Sequence, residues 1–247
     1  MQSTAPRPVD ATIDLEDATR SDYGGKNMGK TVFIIHTSGV SVNDLNTLFQ
    51  EAAPDVTVRN IVDDSLLPEV LANGGVTPGV TKRICEYAIQ AEASGADLIF
   101  NQCSSVGEVA TMAAKMVKVP LIKVDERMAE TACQMGSRIG VVATLPTTMG
   151  PTVRLIKSTA DRLGKTVTVT EELTSGAFEK LIAGNRKAHN DMVIASIRKL
   201  AKKVDVVVCA QGSMLALKPD LGETPVPVLM SPPLGVQHAV EVLAALK

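Results

Sequence analysis

Aromatic side chains are scarce, at 2% of the 247 residues, and Trp is absent. Few rings are therefore available to stack on nucleobases, and 25 Lys and Arg against 27 Asp and Glu leave no basic footprint for a phosphate backbone. A nucleic-acid partner is not expected. Apolar runs are strand-sized and none approaches the ~20 residues that span a bilayer, so no membrane segment is expected either. The four cysteines, Cys85, Cys103, Cys133 and Cys209, are too widely spaced for a disulfide framework or a zinc pattern. Gly24-Gly25 and Gly74-Gly75 lack the strand-then-helix context of a phosphate loop. Neither a metal nor a cofactor is expected. Residues 1–27 lack the apolar stretch of a secretory signal and carry five acidic side chains, unlike a transit peptide. They read as a disordered extension or tag ahead of Met28, and the expected compartment is the cytoplasm.

What is present is ordinary globular composition, 45% hydrophobic and 21% charged, in a chain long enough for two small domains. From Thr31 onward short β-branched runs alternate with helical stretches, the pattern of parallel sheets covered on both faces. Strands are predicted over 31–36, 56–61, 98–101, 121–124, 139–143, 167–170, 206–209 and 226–229. Helices are predicted over 41–52, 78–93, 106–116, 127–135, 147–163, 188–201 and 234–245. The chain also repeats itself: Ile84–Ser105 resembles Ile197–Ser213, and Val32–Gly39 (VFIIHTSG) resembles Ile139–Thr147 (IGVVATLPT). The fold class is therefore α/β, two similar doubly wound, Rossmann-like halves with the site in the cleft between them. Residues 28–125 with 231–247 form the first half and 126–230 the second.

Four strand ends carry small polar residues: His36–Gly39, Asn101–Ser105, Thr144–Thr148 and Gln211–Ser213. Ligands of open α/β sheets bind beyond the carboxyl ends of strands, where backbone N–H groups favour anions, so a small carboxylate is the natural guest. Each Ser or Thr alone could equally cap the next helix. Cys103, between a strand and a helix start, is a candidate nucleophile or base, because such a position favours the thiolate. Cys85 and Cys133 fall inside helical patterns and read as packing thiols. Cys209 either lies within its strand or reaches the loop. His36 reads as a hydrogen-bonded structural residue before an acid or base, and Asp125 as an N-cap; His189 and His238 lie in helical patterns.

At these loops the sequence resembles a known family. Gly95–Ser105 (GADLIFNQCSS), Pro120–Glu130 (PLIKVDERMAE), Ile139–Thr148 (IGVVATLPTT) and Pro227–Pro232 (PVLMSP) look like successive signature segments of the aspartate/glutamate/hydantoin racemase superfamily, in order over about residues 30–247. The resemblance implies a cofactor-independent isomerase in which two thiols flank the substrate α-carbon, one removing a proton and the other returning one. It assigns Cys103 as the first thiol and Ser38, Ser104, Ser105, Thr144 and Thr147 as carboxylate-binding positions, to which Asn101, Gln211 and Ser213 are added. The second thiol departs from the pattern. Asp97 to Cys103 is six residues, but Asp205 to Cys209 is four, and the sixth position is Gln211. Two residues shift a side chain roughly 6.6 Å along a strand. If the strand ends early, Cys209 is the second thiol. If not, this is a one-thiol member, with Cys103 working beside Asp125, Glu126 or His36, or a lyase of the decarboxylase type. A non-catalytic carboxylate-binding protein is the remaining alternative. A homo-oligomer is expected.

Overall fold

The computed structural model describes residues 29–246, and the extension assigned to residues 1–27 lies outside them. Two four-stranded parallel sheets form in succession. The first is built from β1 (Thr31–His36), α1 (Val42–Ala52), β2 (Thr57–Val62), α2 (Leu66–Ala72), α3 (Pro78–Ala93), β3 (Leu98–Asn101), a 3₁₀ turn (Ser104–Val106), α4 (Gly107–Ala113) and β4 (Leu121–Lys123). The second comprises α5 (Glu126–Met135), β5 (Arg138–Ala143), α6 (Pro146–Arg162), β6 (Thr168–Leu173), α7 (Ala177–Ile182), α8 (Arg186–Leu200), β7 (Val206–Cys209), a 3₁₀ turn (Gly212–Leu217), α9 (Lys218–Leu221) and β8 (Val228–Met230). Helix α10 (Ser231–Ala245) follows β8 without a loop. The strand orders are β2-β1-β3-β4 and β6-β5-β7-β8, the same arrangement twice.

The central strands are apolar throughout because both sheet faces are covered. Strand parity sorts their side chains. Val32, Ile34, Leu98 and Phe100 pack with α1 and α10, while Ile35 and Ile99 pack with α2, α3 and α4. In the second sheet Ile139, Val141, Val206 and Val208 meet α5 and α6, whereas Val142, Val207 and Cys209 meet α8. Phe49 and Phe100 pack edge to face, with ring centroids 5.6 Å apart, at the centre of the first cluster. The last helix thus crosses back: Val236, Ala239, Val240 and Leu243 of α10 are buried in the first sheet's core.

Most predicted elements form within a few residues of their expected ends, and the exceptions have local causes. The helix expected over 106–116 starts as a 3₁₀ turn and stops at Ala113. Helices α2, α7 and α9 are short segments that periodicity could not reveal. Pro68 looks like a breaker in sequence, but it falls in the first turn of α2, where its missing N–H costs nothing.

Helix α10 can reach the first sheet only because residue 235 has no side chain. A Cβ there would stand 2.5 Å from the Val124 carbonyl oxygen and 3.1 Å from Phe100 Cζ. Gly235→Ala should therefore destabilise the fold by about 1–3 kcal/mol through overpacking, despite alanine's better helix propensity. A denaturant midpoint equal to or above wild type would refute that close approach.

Candidate active site

In both sheets the connections leaving the first and third strands turn to opposite faces, which opens a crevice beyond the strands' carboxyl ends. The registers of the two crevices coincide. Ile35 pairs with Asn101 in the first sheet and Val142 with Cys209 in the second. Each ladder closes with one further bond, Gln102 N–H to the Ile35 carbonyl at 3.2 Å and Ala210 N–H to the Val142 carbonyl at 2.9 Å. One more extended residue follows, Cys103 (φ −112°, ψ 116°) or Gln211 (φ −129°, ψ 138°), and each then enters a 3₁₀ turn. Thr37 and Thr144 stand two residues beyond Ile35 and Val142. The halves therefore present matching pairs, Thr37 with Cys103 and Thr144 with Gln211.

In this register Cys209, one of the two thiols considered, sits within the strand and off the cleft wall. Cys209 ends β7 inside the ladder, fully buried among Val142, Ile197 and Met214. Burial with no compensating partner pushes its thiol up to about 12, which favours the protonated form.

Cys103, Ser38, Ser104, Ser105, Gln211 and Ser213 come together around one small cleft. Three other expected residues stand behind its wall. Asn101 Nδ2 donates to the Cys103 carbonyl at 3.0 Å and so shapes the loop. Thr144 donates to Gln211 Oε1 from its backbone N–H at 2.5 Å and from its hydroxyl at 3.0 Å. Thr147 lies in the first turn of α6 off the cleft wall, and the residue on the wall is Thr148, whose Oγ1 is 2.9 Å from Ser105 Oγ. A helical step of one residue turns a side chain by about 100°, which is why neighbouring threonines part company.

Thr37, Ser41, Gln102, Leu67 and Phe178 also line the cleft. Thr37 and Gln102 belong to loops the sequence had marked. Leu67 and Phe178 lie on α2 and α7, which lacked a readable pattern, although Phe178 is one of only four Phe in the chain. Gly212 brings the second half against the first: a Cβ there would meet Ser41 Oγ at 3.4 Å and Gln102 Oε1 at 3.9 Å.

Cys103 is the one titratable side chain among the described residues lining this cleft. Burial pushes its thiol up, and the Thr37 hydroxyl, the Ser105 N–H and hydroxyl and the Val106 N–H pull it part of the way back. Thr37 Oγ1 is buried at the cleft wall, where it neighbours the Cys103 sulfur. His36 is off the wall: its Nε2 meets Asn60 Oδ1 at 2.8 Å, and burial lowers its pKa, favouring the neutral ring. Asp125 is off it as well, 2% exposed behind Ser104. It occupies the N-cap position of α5 but makes no side-chain capping bond. Burial raises its carboxyl, against the opposing pull of the Ser104 hydroxyl. Glu126 turns away to Lys123, 3.4 Å distant. Cys85 and Cys133 are buried in α3 and α5, as packing thiols. Among the described residues no three His, Cys, Asp or Glu side chains converge as a metal cage. One thiol set among neutral hydrogen-bonding groups is suited to bind an anionic oxygen and to exchange a proton beside it.

Solved structures share this architecture. Glutamate racemase from Francisella tularensis subsp. tularensis SCHU S4, in complex with D-glutamate, superposes with a TM-score of 0.69 at 11% identity, covering 88% of this chain and 81% of that one. Allantoin racemase from Klebsiella pneumoniae gives 0.62 at 17% identity, covering 87% and 88%. A variant of arylmalonate decarboxylase in its sulfate-associated form gives 0.56 at 14% identity, covering 87% and 94%. At these identities the likeness is one of fold. No curated protein matches the chain by sequence. The sequence model of the Asp/Glu/Hydantoin racemase family, however, matches residues 33–239, which span β3, Cys103 and both sheets. With that match and two equivalent halves meeting at one cleft, the chain belongs to the Asp/Glu/hydantoin racemase family.

Proposed function

We propose that the protein is a cofactor-independent isomerase of a small carboxylate, with Cys103 as its sole acid–base group. The observation that carries this reading is the lone titratable side chain on the cleft wall, faced by hydroxyls and carboxamides. A carboxylate oxygen accepts hydrogen bonds from the wall donors, and Sγ of Cys103 removes the proton of the adjacent carbon. The electron pair left behind spreads onto the carboxylate oxygens, where prearranged donors stabilise it. The sulfur then returns the proton from its own side to a neighbouring carbon that shares the delocalised charge, which shifts a double bond; return to the same carbon would only regenerate the substrate. Ser38, Ser104, Ser105 and Ser213 serve as substrate-binding groups, with Asn101 and Thr144 holding the loops behind them. Two-thiol inversion has no second sulfur to work with, since Cys209 lies in the core.

A second reading, a one-thiol lyase, is favoured by the raised Cys103 thiol. A protonated sulfur is poised to donate. After loss of carbon dioxide the substrate carbanion takes the thiol proton, and the thiolate regains one from water. In either reading the protein works in the cytoplasm, consistent with four unpaired cysteines, and as a homo-oligomer. The division into 28–125 with 231–247 and 126–230 gives two bodies that can close on a ligand.

Proton NMR in deuterium oxide with a panel of small chiral acids tests the reading. Exchange of the carbon-bound proton should fall on the order of 10²–10⁴-fold in Cys103→Ser and stay near wild type in Cys209→Ser. Exchange retained in Cys103→Ser would remove the thiol from the mechanism, whereas protonation coupled to release of carbon dioxide would select the lyase.

Thiol titration supplies an independent check. Because the folded Cys103 lies above its ordinary value of 9.0, the thiolate is scarce at neutral pH. Alkylation of Cys103 by iodoacetamide should rise with pH to a midpoint above that of an exposed cysteine. Thr37→Val, by deleting a donor to the sulfur, should move the midpoint higher still. A midpoint below the ordinary value would contradict this balance of burial against donors.

A further inference from the structure

The role of Gln211 follows from how its carboxamide is held. Its Oε1 accepts from both the Thr144 N–H and the Thr144 hydroxyl, at 2.5 and 3.0 Å. A backbone N–H cannot donate to an amide nitrogen, so these bonds leave no choice of orientation. Nε2 is therefore turned away from Thr144, on a residue that lines the cleft, and it makes no hydrogen bond to any described residue. Gln211 occupies in the second half the place that Cys103 occupies in the first, the last extended residue before a 3₁₀ turn. Where symmetry would put a second acid or base, the chain has a fixed neutral donor.

The rest of the lining agrees. Among the described residues it contains no Asp, Glu, Lys, Arg or His. The Thr37 and serine hydroxyls and the Gln102 and Gln211 carboxamides offer hydrogen bonds without charge, beside Val40, Leu67, Leu145 and Phe178. Neutral donors suffice for a carboxylate, since hydrogen bonds to an ionised acceptor are the strong kind. An ammonium group would be desolvated with no carboxylate to receive it, because Asp125 is sequestered behind Ser104.

We propose that Gln211 Nε2 is the second half's donor to a substrate oxygen, and that the cleft selects small acids without an ammonium group over the corresponding amino acids. The proposal names the substrate class of the Cys103 cleft and rests on that cleft being the substrate site. It does not require that Cys103 turn the ligand over.

Matched four-carbon acids test it: 2-hydroxybutanoate, butanoate and 2-aminobutanoate, titrated by calorimetry and ligand-observed NMR into the full chain and into Cys103→Ser. Using the serine variant separates binding from catalysis, so ligands that bind but are never turned over would count against the Cys103 mechanism alone. The hydroxy acid should bind at least roughly tenfold more tightly than the amino acid. Gln211→Leu should weaken it roughly ten- to hundredfold, the worth of a hydrogen bond to a charged group. Gln211→Glu keeps the bond from Thr144 and places a carboxylate in the cleft, so it should reverse the preference toward 2-aminobutanoate. A merely structural glutamine would not produce that reversal. Equal or tighter binding of the amino acid by wild type, no binding of either ammonium-free acid, or unchanged affinity in folded Gln211→Leu would overturn the proposal.

Discussion

The chemistry of this cleft depends on how far each chain runs past the last ladder bond of its sheet. A residue still paired in the ladder has its side chain locked into the core of one face. A residue one extended step beyond it is free to reach the crevice. The first sheet releases its chain after Gln102 and the second after Ala210, at the same register with Ile35 and Val142. That places Cys103 and Gln211 at the wall, and it commits Asn101 and Cys209 to the interior. The difference between a sulfur at the cleft wall and one in the core is here a difference of two residues of strand.

The neighbourhood of Cys103 is a balance between burial and donors. Burial alone takes the Cys209 thiol to about 12. At Cys103 the same desolvation is opposed by Thr37, Ser105 and Val106. These groups stabilise negative charge on sulfur, and their kind, neutral O–H and N–H, also suits a carboxylate. A cationic side chain at this point would have made a stronger thiolate, but it would also have bound any anion indiscriminately. A cleft lining without charged side chains leaves the thiol to this balance of burial against neutral donors.

Much of this was legible in the sequence, for physical reasons that also set the limit. Buried parallel strands are apolar runs, so both sheets and the repeat between halves could be read from pattern. Cys103 stood out because a polar loop after such a run marks a strand end. The six-residue spacing from Asp97 and Asp205 already pointed to Gln211, but where β7 stops is decided by its pairing with β5, which is a tertiary fact. Thr148 displaced Thr147 because the rotation of α6 is set by packing of Met149, Val153 and Ile156, not by the loop before it. Phe178 and Leu67 were out of reach, since seven-residue and six-residue helices carry too little periodicity to announce themselves.

The two halves are held together unequally, and the inequality lies along the cleft. Between α6 and the first half the polar links include the Ser105–Thr148 hydroxyl pair and an exposed ion pair from Arg154 to Glu108, 2.6 Å long with both side chains more than half exposed. The first is worth about 0.5–1.5 kcal/mol and the second about 0–1. Helix α10 leaves the second sheet at Met230 and buries Val236, Val240 and Leu243 in the first, each worth about 1.5–3 kcal/mol. Gly235 seats that helix against Val124, and Pro232 at its start lies against Gly212, which closes over Ser41 and Gln102. The helix that ties the halves together therefore also sets the position of the 3₁₀ turn that follows Gln211. The polar links beside the cleft are each weak, whereas the buried face of α10 fixes the register that brings Cys103 and Gln211 together.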